Sequence, residues 1–406
     1  MQIGMVTACY LPVVNGVTRM IELYKKYLTA AGHEVTVFTV GEPDEVSDEP
    51  DVIRTAGIAV GDTGYYLTIR YNRLARAKMR EMDIIHCHHL LMSAEMARRY
   101  GRCPIVYTNH TRYDLYTGSH IPLPQAAADA VMRQLWPDLT DNCDVVITPS
   151  ASVQDVMRAF GVRRPIEVIP NGIELTTFAR PGSPHSKQDL GLPDDAIVFT
   201  YVGRLSVEKN LDRLVTQFAL ARDVDRRLHL LIIGGGPQAA SLARMISEHD
   251  LQDSIHLHGQ VHHDKIGNLL TAADAFVTAS VTEVHPLTVI EALAAGLPVA
   301  AVASPGISDT VIPGRNGLLA RQVSGLSAAI VALASQPERL AAMSAAARED
   351  SRQYDIRRTV AQTLALYERL RSERPDLERR KEKILWRWQD RQPLVEQLAR
   401  LLRPQD

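Results

Sequence analysis

What this sequence lacks narrows it first. Its four cysteines, Cys9, Cys87, Cys103 and Cys143, all fall in the first half without a C-x-x-C pairing. That argues against a zinc site or a disulfide framework and fits a reduced, cytosolic compartment. No uninterrupted apolar run reaches the length of a bilayer span, so any membrane contact is expected at the surface. The N-terminus, M-Q-I-G-M-V-T-A-C-Y, lacks the basic region of a signal peptide and reads as a buried first strand. A net charge of -2 supplies no overall basic field, and nothing points to nucleic acid. No D-x-D stands at a strand end: Asp223 to Asp225 has the spacing but lies in a polar loop ahead of the strand at Leu228 and reads as solvated.

What is present is a long α/β pattern. At 406 residues the chain can hold two domains, each with its own core. Strands are predicted at Met1–Ala8, Glu34–Val40, Asp83–His86, Ile105–Thr108 and Asp144–Pro149, then again at Val198–Val202, Leu228–Ile233, Ile255–Gly259 and Ala275–Ala279. Helical segments alternate with them, as Val17–Ala31 does before Gly32. That order suits doubly wound parallel sheets, whose ligands bind at the carboxyl ends of the strands. Asn15-Gly16, in the first such turn, could bring backbone close to a phosphate or could simply be a turn. The boundaries are expected at residues 1–172, 173–354 and 355–406, with a Pro/Gly-containing linker at Ile169-Pro170-Asn171-Gly172-Ile173 and a helical break near Tyr354.

The stretch most charged with chemistry is Glu283 to Pro298, E-V-H-P-L-T-V-I-E-A-L-A-A-G-L-P. Val289, Ile290, Leu293 and Ala294 recur at helical spacing and place Glu291 in the opening turns of a helix. The amides around His285, Pro286, Leu287 and Thr288 would lack intrahelical partners, and with the helix dipole they offer a place for phosphate. Glu283 and Glu291 flank that place. Each could equally be an ordinary acid at a positive helix end.

The E-x7-E spacing followed by E-A-x-A-x-G-x-P resembles the donor-binding signature of retaining glycosyltransferases of family 4. His285-Pro286 stands where Phe-Gly or Gln-Gly is common. The resemblance implies the GT-B fold: an N-terminal acceptor-binding and a C-terminal nucleotide-sugar-binding Rossmann-like domain facing across a cleft, with C-terminal helices crossing back. It implies that Glu283 binds sugar hydroxyls and Glu291 the ribose, and that Arg204 and Lys209 of G-R-L-S-V-E-K-N neutralise the diphosphate. It also implies that the loop at Val261 holds the base, that Gly16 lies against the donor, and that His110 sits beside the anomeric carbon. Fixed cations suit that chemistry, because the leaving nucleotide gains charge as the glycosidic bond breaks. The expected reaction needs no metal and no resident cofactor, only a nucleotide sugar as co-substrate, with UDP-glucose the first candidate.

Three features bear on the acceptor. The Tyr107–Pro124 run, with Asn15-Gly16-Val17, resembles bacterial diacylglycerol glucosyltransferases. The Tyr65–Arg80 stretch carries Arg70, Arg73, Arg76, Lys78 and Arg80 with no acid before Glu81, which suits either a solvated helix face or contact with an anionic membrane. Near the C-terminus, Trp386 and Trp388 stand among basic residues. Together they favour a lipid acceptor and peripheral attachment to the inner face of the cell membrane. A soluble sugar or small metabolite as acceptor, another GT-B enzyme, and a non-catalytic sugar-nucleotide binder are the alternatives. His86, Cys87, His88 and His89 read as loop histidines rather than a metal site, since adjacent side chains at a strand end diverge.

Overall fold

The computed structural model describes residues 1–42, 50–60, 64–68, 70–115 and 125–373. The chain divides into two compact units, Met1–Ile169 together with the segment from Thr359 onward, and Pro170–Arg358.

The first unit is built on a seven-stranded parallel sheet in the order β3-β2-β1-β6-β7-β8-β9. Its strands are β1 (Gln2–Val6), β2 (Glu34–Val40), β3 (Val52–Thr55), β6 (Ile84–Cys87), β7 (Ile105–Thr108), β8 (Val145–Thr148) and β9 (Ile166–Val168). A separate antiparallel pair joins β4 (Ile58–Ala59) to β5 (Tyr66–Leu67). After β1 the chain moves outward to β2 and β3, then returns to lay β6 on the other side of β1. That reversal opens a crevice at the carboxyl ends of β1 and β6. The helix Gly16–Ala30 starts there. Asn15 caps it, its Oδ1 accepting from the amides of Val17 and Thr18 at 2.9 and 3.0 Å, while Thr18 Oγ1 accepts from the Asn15 amide at 2.9 Å. Val17, Met20, Ile21, Tyr24 and Leu28 bury one face of it.

The second unit repeats the plan with six parallel strands in the order β12-β11-β10-β13-β14-β15. These are β10 (Ile197–Val202), β11 (Leu228–Ile233), β12 (Ile255–Gly259), β13 (Ala275–Thr278), β14 (Val299–Val302) and β15 (Gly317–Ala320). Alternate residues of one strand enter opposite cores. Val198 and Val202 pack with Ile290 and Leu293 on one face, whereas Phe199 and Tyr201 pack with Leu214 and Phe218 on the other. A sheet covered on both faces needs such apolar strands. Its reversal lies between β10 and β13.

The linker segment is fastened into the second unit. Asn171 donates from its backbone amide to Nδ1 of His285 at 3.2 Å and from Nδ2 to the His285 carbonyl at 2.9 Å, while the Ile173 amide donates to the Tyr354 carbonyl at 2.9 Å. The last described helix, Ile356–Glu373, is anchored in the first unit by buried Tyr367, whose hydroxyl lies 2.6 Å from Nδ1 of His86.

The predicted strand Asp83–His86 is found at Ile84–Cys87: His86 lies within β6, fully buried, with Nε2 2.6 Å from Thr108 Oγ1, and of the histidine run only His88 and His89 follow the strand. One expectation needs correction. The Tyr65–Arg80 stretch is not one basic helix. It opens with β5, buries Tyr71, and is α-helical only over Arg73–Lys78, because Asn72 starts a new helix by accepting the Ala75 amide at 2.8 Å. Residues 116–124 of the Tyr107–Pro124 run, and Trp386 and Trp388 with their basic neighbours, lie outside the described residues.

Candidate active site

In the second unit the predicted residues gather at the carboxyl ends of β10 and β13, the two strands that border the reversal. After β10 the chain makes a turn carrying Arg204, a short 3-10 turn at Val207–Lys209, and then Asn210 in a left-handed conformation (φ 52°) before the helix Leu211–Val224. Asn210 Nδ2 donates to the Ala279 carbonyl at 3.1 Å, pinning this turn to the segment that follows β13. The pin brings Lys209 Nζ to 2.6 Å from Glu283 Oε1. Ser280 Oγ donates to the same oxygen at 2.7 Å. Burial alone would raise the Glu283 carboxyl, but the Lys209 charge and these two hydrogen bonds outweigh it and hold the group below its ordinary 4.5.

Arg204 is held by a residue that the sequence reading passed over. Its Nη2 donates to Glu208 Oε1 at 2.7 Å, and Ser206 Oγ donates to that same oxygen at 2.6 Å. Glu208 is buried, while 53% of the Arg204 side chain is exposed, so the acid anchors a guanidinium that solvent still reaches. Burial raises the Glu208 carboxyl, and the bonds from Ser206 and Arg204 reverse the shift to a net lowering. The glycine turn after β11 braces this loop: the Leu205 amide donates to the Gly235 carbonyl at 2.9 Å. Gly234 has φ 149°, and a Cβ there would sit 1.9 Å from the Gly203 carbonyl oxygen. Only glycine permits that approach.

The helix Leu287–Ala295 begins as the periodicity predicts. Its cap, Pro286, gives no side-chain hydrogen bond to the opening amides, so Leu287 and Thr288 lie where a helix N-terminus presents N–H groups. His285 does not face outward: its ring is buried, accepts the Asn171 amide and packs edge-on against Tyr354 with centroids 5.2 Å apart. Burial lowers its pKa to about 4. Glu291 is also buried, with 3% of its side chain exposed, and its Oε1 lies 2.8 Å from Nε2 of His263. His263 opens the helix that follows the Val261 loop, so it ties that loop to Glu291. No local pattern marked His263. Its partner lies 28 residues away and is reached only through the fold.

His110 and Gly16 lie in the first unit. Gly16 is the first residue of its helix rather than part of a free turn. His110 follows β7, and its Nε2 lies 3.0 Å from Nδ1 of His88. Burial and the neighbouring His89 and His86 lower the pKa of His110, keeping the ring neutral. Among the described residues no three His, Cys, Asp or Glu side chains group as a metal site would require. Asp223 and Asp225 pair instead with Arg226 and Arg227.

This geometry can be set beside known proteins. The profile described as Glycosyltransferase Family 4 matches residues 14–177, and that described as Glycosyl transferases group 1 matches residues 183–350, so the two together span most of the chain. The chain belongs to glycosyltransferase family 4. This glycosyltransferase is 29% identical over 372 residues to the alpha-monoglucosyldiacylglycerol synthase of Acholeplasma laidlawii, covering 87% of this chain and 93% of that one. Among solved structures it resembles a sucrose-phosphate synthase from Thermosynechococcus elongatus, with TM-score 0.75, 22% identity, and coverage of 92% of this chain and 100% of the other. It also resembles HepE of Anabaena in complex with UDP and glucose, with TM-score 0.72, 20% identity, and coverage of 90% and 99%. The fold is GT-B, with two parallel-sheet Rossmann-like units.

Proposed function

We propose that this glycosyltransferase moves glucose from UDP-glucose to a hydroxyl of a membrane glycerolipid such as diacylglycerol, with retention of anomeric configuration and without a metal. The observation that carries the donor half is the arrangement at the β10–β13 reversal. Two cations, Arg204 and Lys209, are each oriented by a carboxylate, Glu208 and Glu283, beside a helix N-terminus without a side-chain cap. A diphosphate leaving group gains negative charge during transfer, and pre-oriented cations and amides stabilise that charge without reorganising. They occupy the role that a divalent cation would otherwise take. Glu283 then binds sugar hydroxyls, Glu291 the ribose, and the Val261 loop the base. In this reading His110 contacts the sugar beside the anomeric carbon.

The lipid half is supported by the relative that makes monoglucosyldiacylglycerol and by the surface of the first unit. Arg70 and Arg73 are exposed there, as are Ile58 at 79% and Leu74 at 64%. Basic and apolar side chains together suit a headgroup interface, where each Lys or Arg near anionic lipid adds about 1 kcal/mol. No described helix is long and apolar enough to cross a membrane. A donor screen with diacylglycerol and soluble acceptors, read by product mass, tests the reading. Glucosyl-lipid formed in EDTA, with the donor's anomeric configuration by proton NMR, is the expected result. Transfer to a water-soluble acceptor alone would replace the lipid half. Sedimentation with anionic vesicles at low salt, abolished when Arg70, Arg73 and Arg76 become Glu, tests the attachment.

A further inference from the structure

His88 and His110 ride on adjacent strands of the first unit, one just past β6 and the other two residues past β7. The His88 amide donates to the Val6 carbonyl and the Asn109 amide to the Ile147 carbonyl, both at 2.8 Å, so the sheet ladder fixes the backbone on both sides. The two rings lie edge to edge, with centroids 5.3 Å apart and planes 16° from parallel. Nδ1 of His88 lies 3.0 Å from Nε2 of His110. Burial keeps both rings neutral, so a single proton lies between these nitrogens and one ring donates to the other.

The far nitrogen of His88 settles the direction. Its Nε2 is buried and has no hydrogen-bond partner among the described residues, with the rings of His86 and Tyr24 beside it at 4.2 and 6.0 Å between centroids. Orphaned buried N–H groups are rarer than acceptors with an unused lone pair. The proton of His88 therefore belongs on Nδ1.

We propose that His88 is a positioning residue: its Nδ1–H donates to His110 Nε2 and fixes His110 as the tautomer protonated on Nδ1. His110 then meets the substrate as a hydrogen-bond donor and has no free Nε2 with which to act as a base. This rests on the reading of His110 as a sugar-contacting residue, but the first test needs no substrate. Long-range proton–nitrogen NMR of the full chain labelled with 15N-histidine, with His110 assigned by its loss in His110→Gln, is expected to show Nδ1 protonated and Nε2 bare. Nε2 protonated in the wild-type protein overturns the proposal, whether or not any variant folds.

In His88→Asn the amide can still donate from the place of Nδ1, so the His110 pattern should persist and turnover of UDP-glucose should stay within about threefold. In His88→Leu the pattern should become mixed and kcat should fall about tenfold, with the KM for donor changing less than about twofold. A wild-type His110 pattern in His88→Leu also overturns the proposal. Wild-type turnover in His110→Ala overturns it from the other side, through the role of His110, and leaves the spectrum to report the tautomer separately.

Discussion

Lys209 and Glu283, 74 residues apart in sequence, meet at 2.6 Å between Nζ and Oε1. The pair is only partly exposed, with about a fifth of each side chain reached by solvent (21% and 19%). The acid aims the lysine, and the lysine keeps the acid ionised. Lys209→Ala should therefore lower kcat by about 10²–10³-fold, the usual loss when a group that stabilises transition-state charge is removed. The Lys209→Ala, Glu283→Gln double variant should lose little more than the worse single one, because contacting residues couple by about 0.5–3 kcal/mol. Losses that simply multiply would show that the two do not act as a unit.

Glu208 should matter through Arg204. Without it Arg204 loses its anchor, and Glu208→Ala is expected to reduce kcat about tenfold, the effect of one charge-assisted hydrogen bond at a half-exposed site. Circular dichroism should stay unchanged. Wild-type turnover in this variant would mean that Arg204 needs no orienting partner.

His263→Ala tests the link between the Val261 loop and Glu291. The donor KM should rise about tenfold, as it should in Glu291→Ala, with kcat less affected. An unaltered KM in both variants would remove Glu291 from the ribose.

Gly234→Ala adds a Cβ where the Gly203 carbonyl already stands and forces a residue with φ 149° to change conformation. The expected cost is about 1–3 kcal/mol of stability, with turnover falling as the Arg204 turn shifts. Thermal unfolding and kcat measured on one preparation decide it, and a variant as stable and as active as wild type contradicts the brace.

Acid should weaken the protein through its buried imidazoles. His86, His89 and His285 are buried, and burial lowers their pKa values to about 3, about 4 and about 4 from 6.5. In the unfolded chain they bind protons below 6.5, so stability is whole above that pH and declines as pH falls from it toward the folded values. At pH 5 each forfeits about 2 kcal/mol. Glu283 adds nothing in this window, since its depressed carboxyl makes its contribution above 4.5 and loses it only further into acid. The midpoint of urea unfolding should fall between pH 7 and pH 5. A flat midpoint would show that these imidazoles take up a second proton as readily in the folded protein as in the unfolded chain.

Local pattern carried most of the elements. Alternation and apolar runs marked Glu34–Val40, Ile105–Thr108, Leu228–Ile233 and Ile255–Gly259 with the bounds the fold shows: β7 and β11 are buried along their whole length, as a strand covered on both faces must be, while the edge strand β12 alternates. The helical spacing of Val289, Ile290, Leu293 and Ala294 marked the helix that carries Glu291, and the E-x7-E and G-R-L-x-x-x-K-N residues were visible as chemistry without a place. The basic stretch misled because charge spacing does not reveal that Asn72 restarts the helix or that Tyr71 is buried. Which residues touch was decided by strand order, and strand order comes from pairings between distant segments that no local period encodes. β13 lies beside β10, so Lys209 meets Glu283. β7 lies beside β6, so His110 meets His88. Burial then did the rest, since only when water is gone does each of these polar groups need a partner fixed in place.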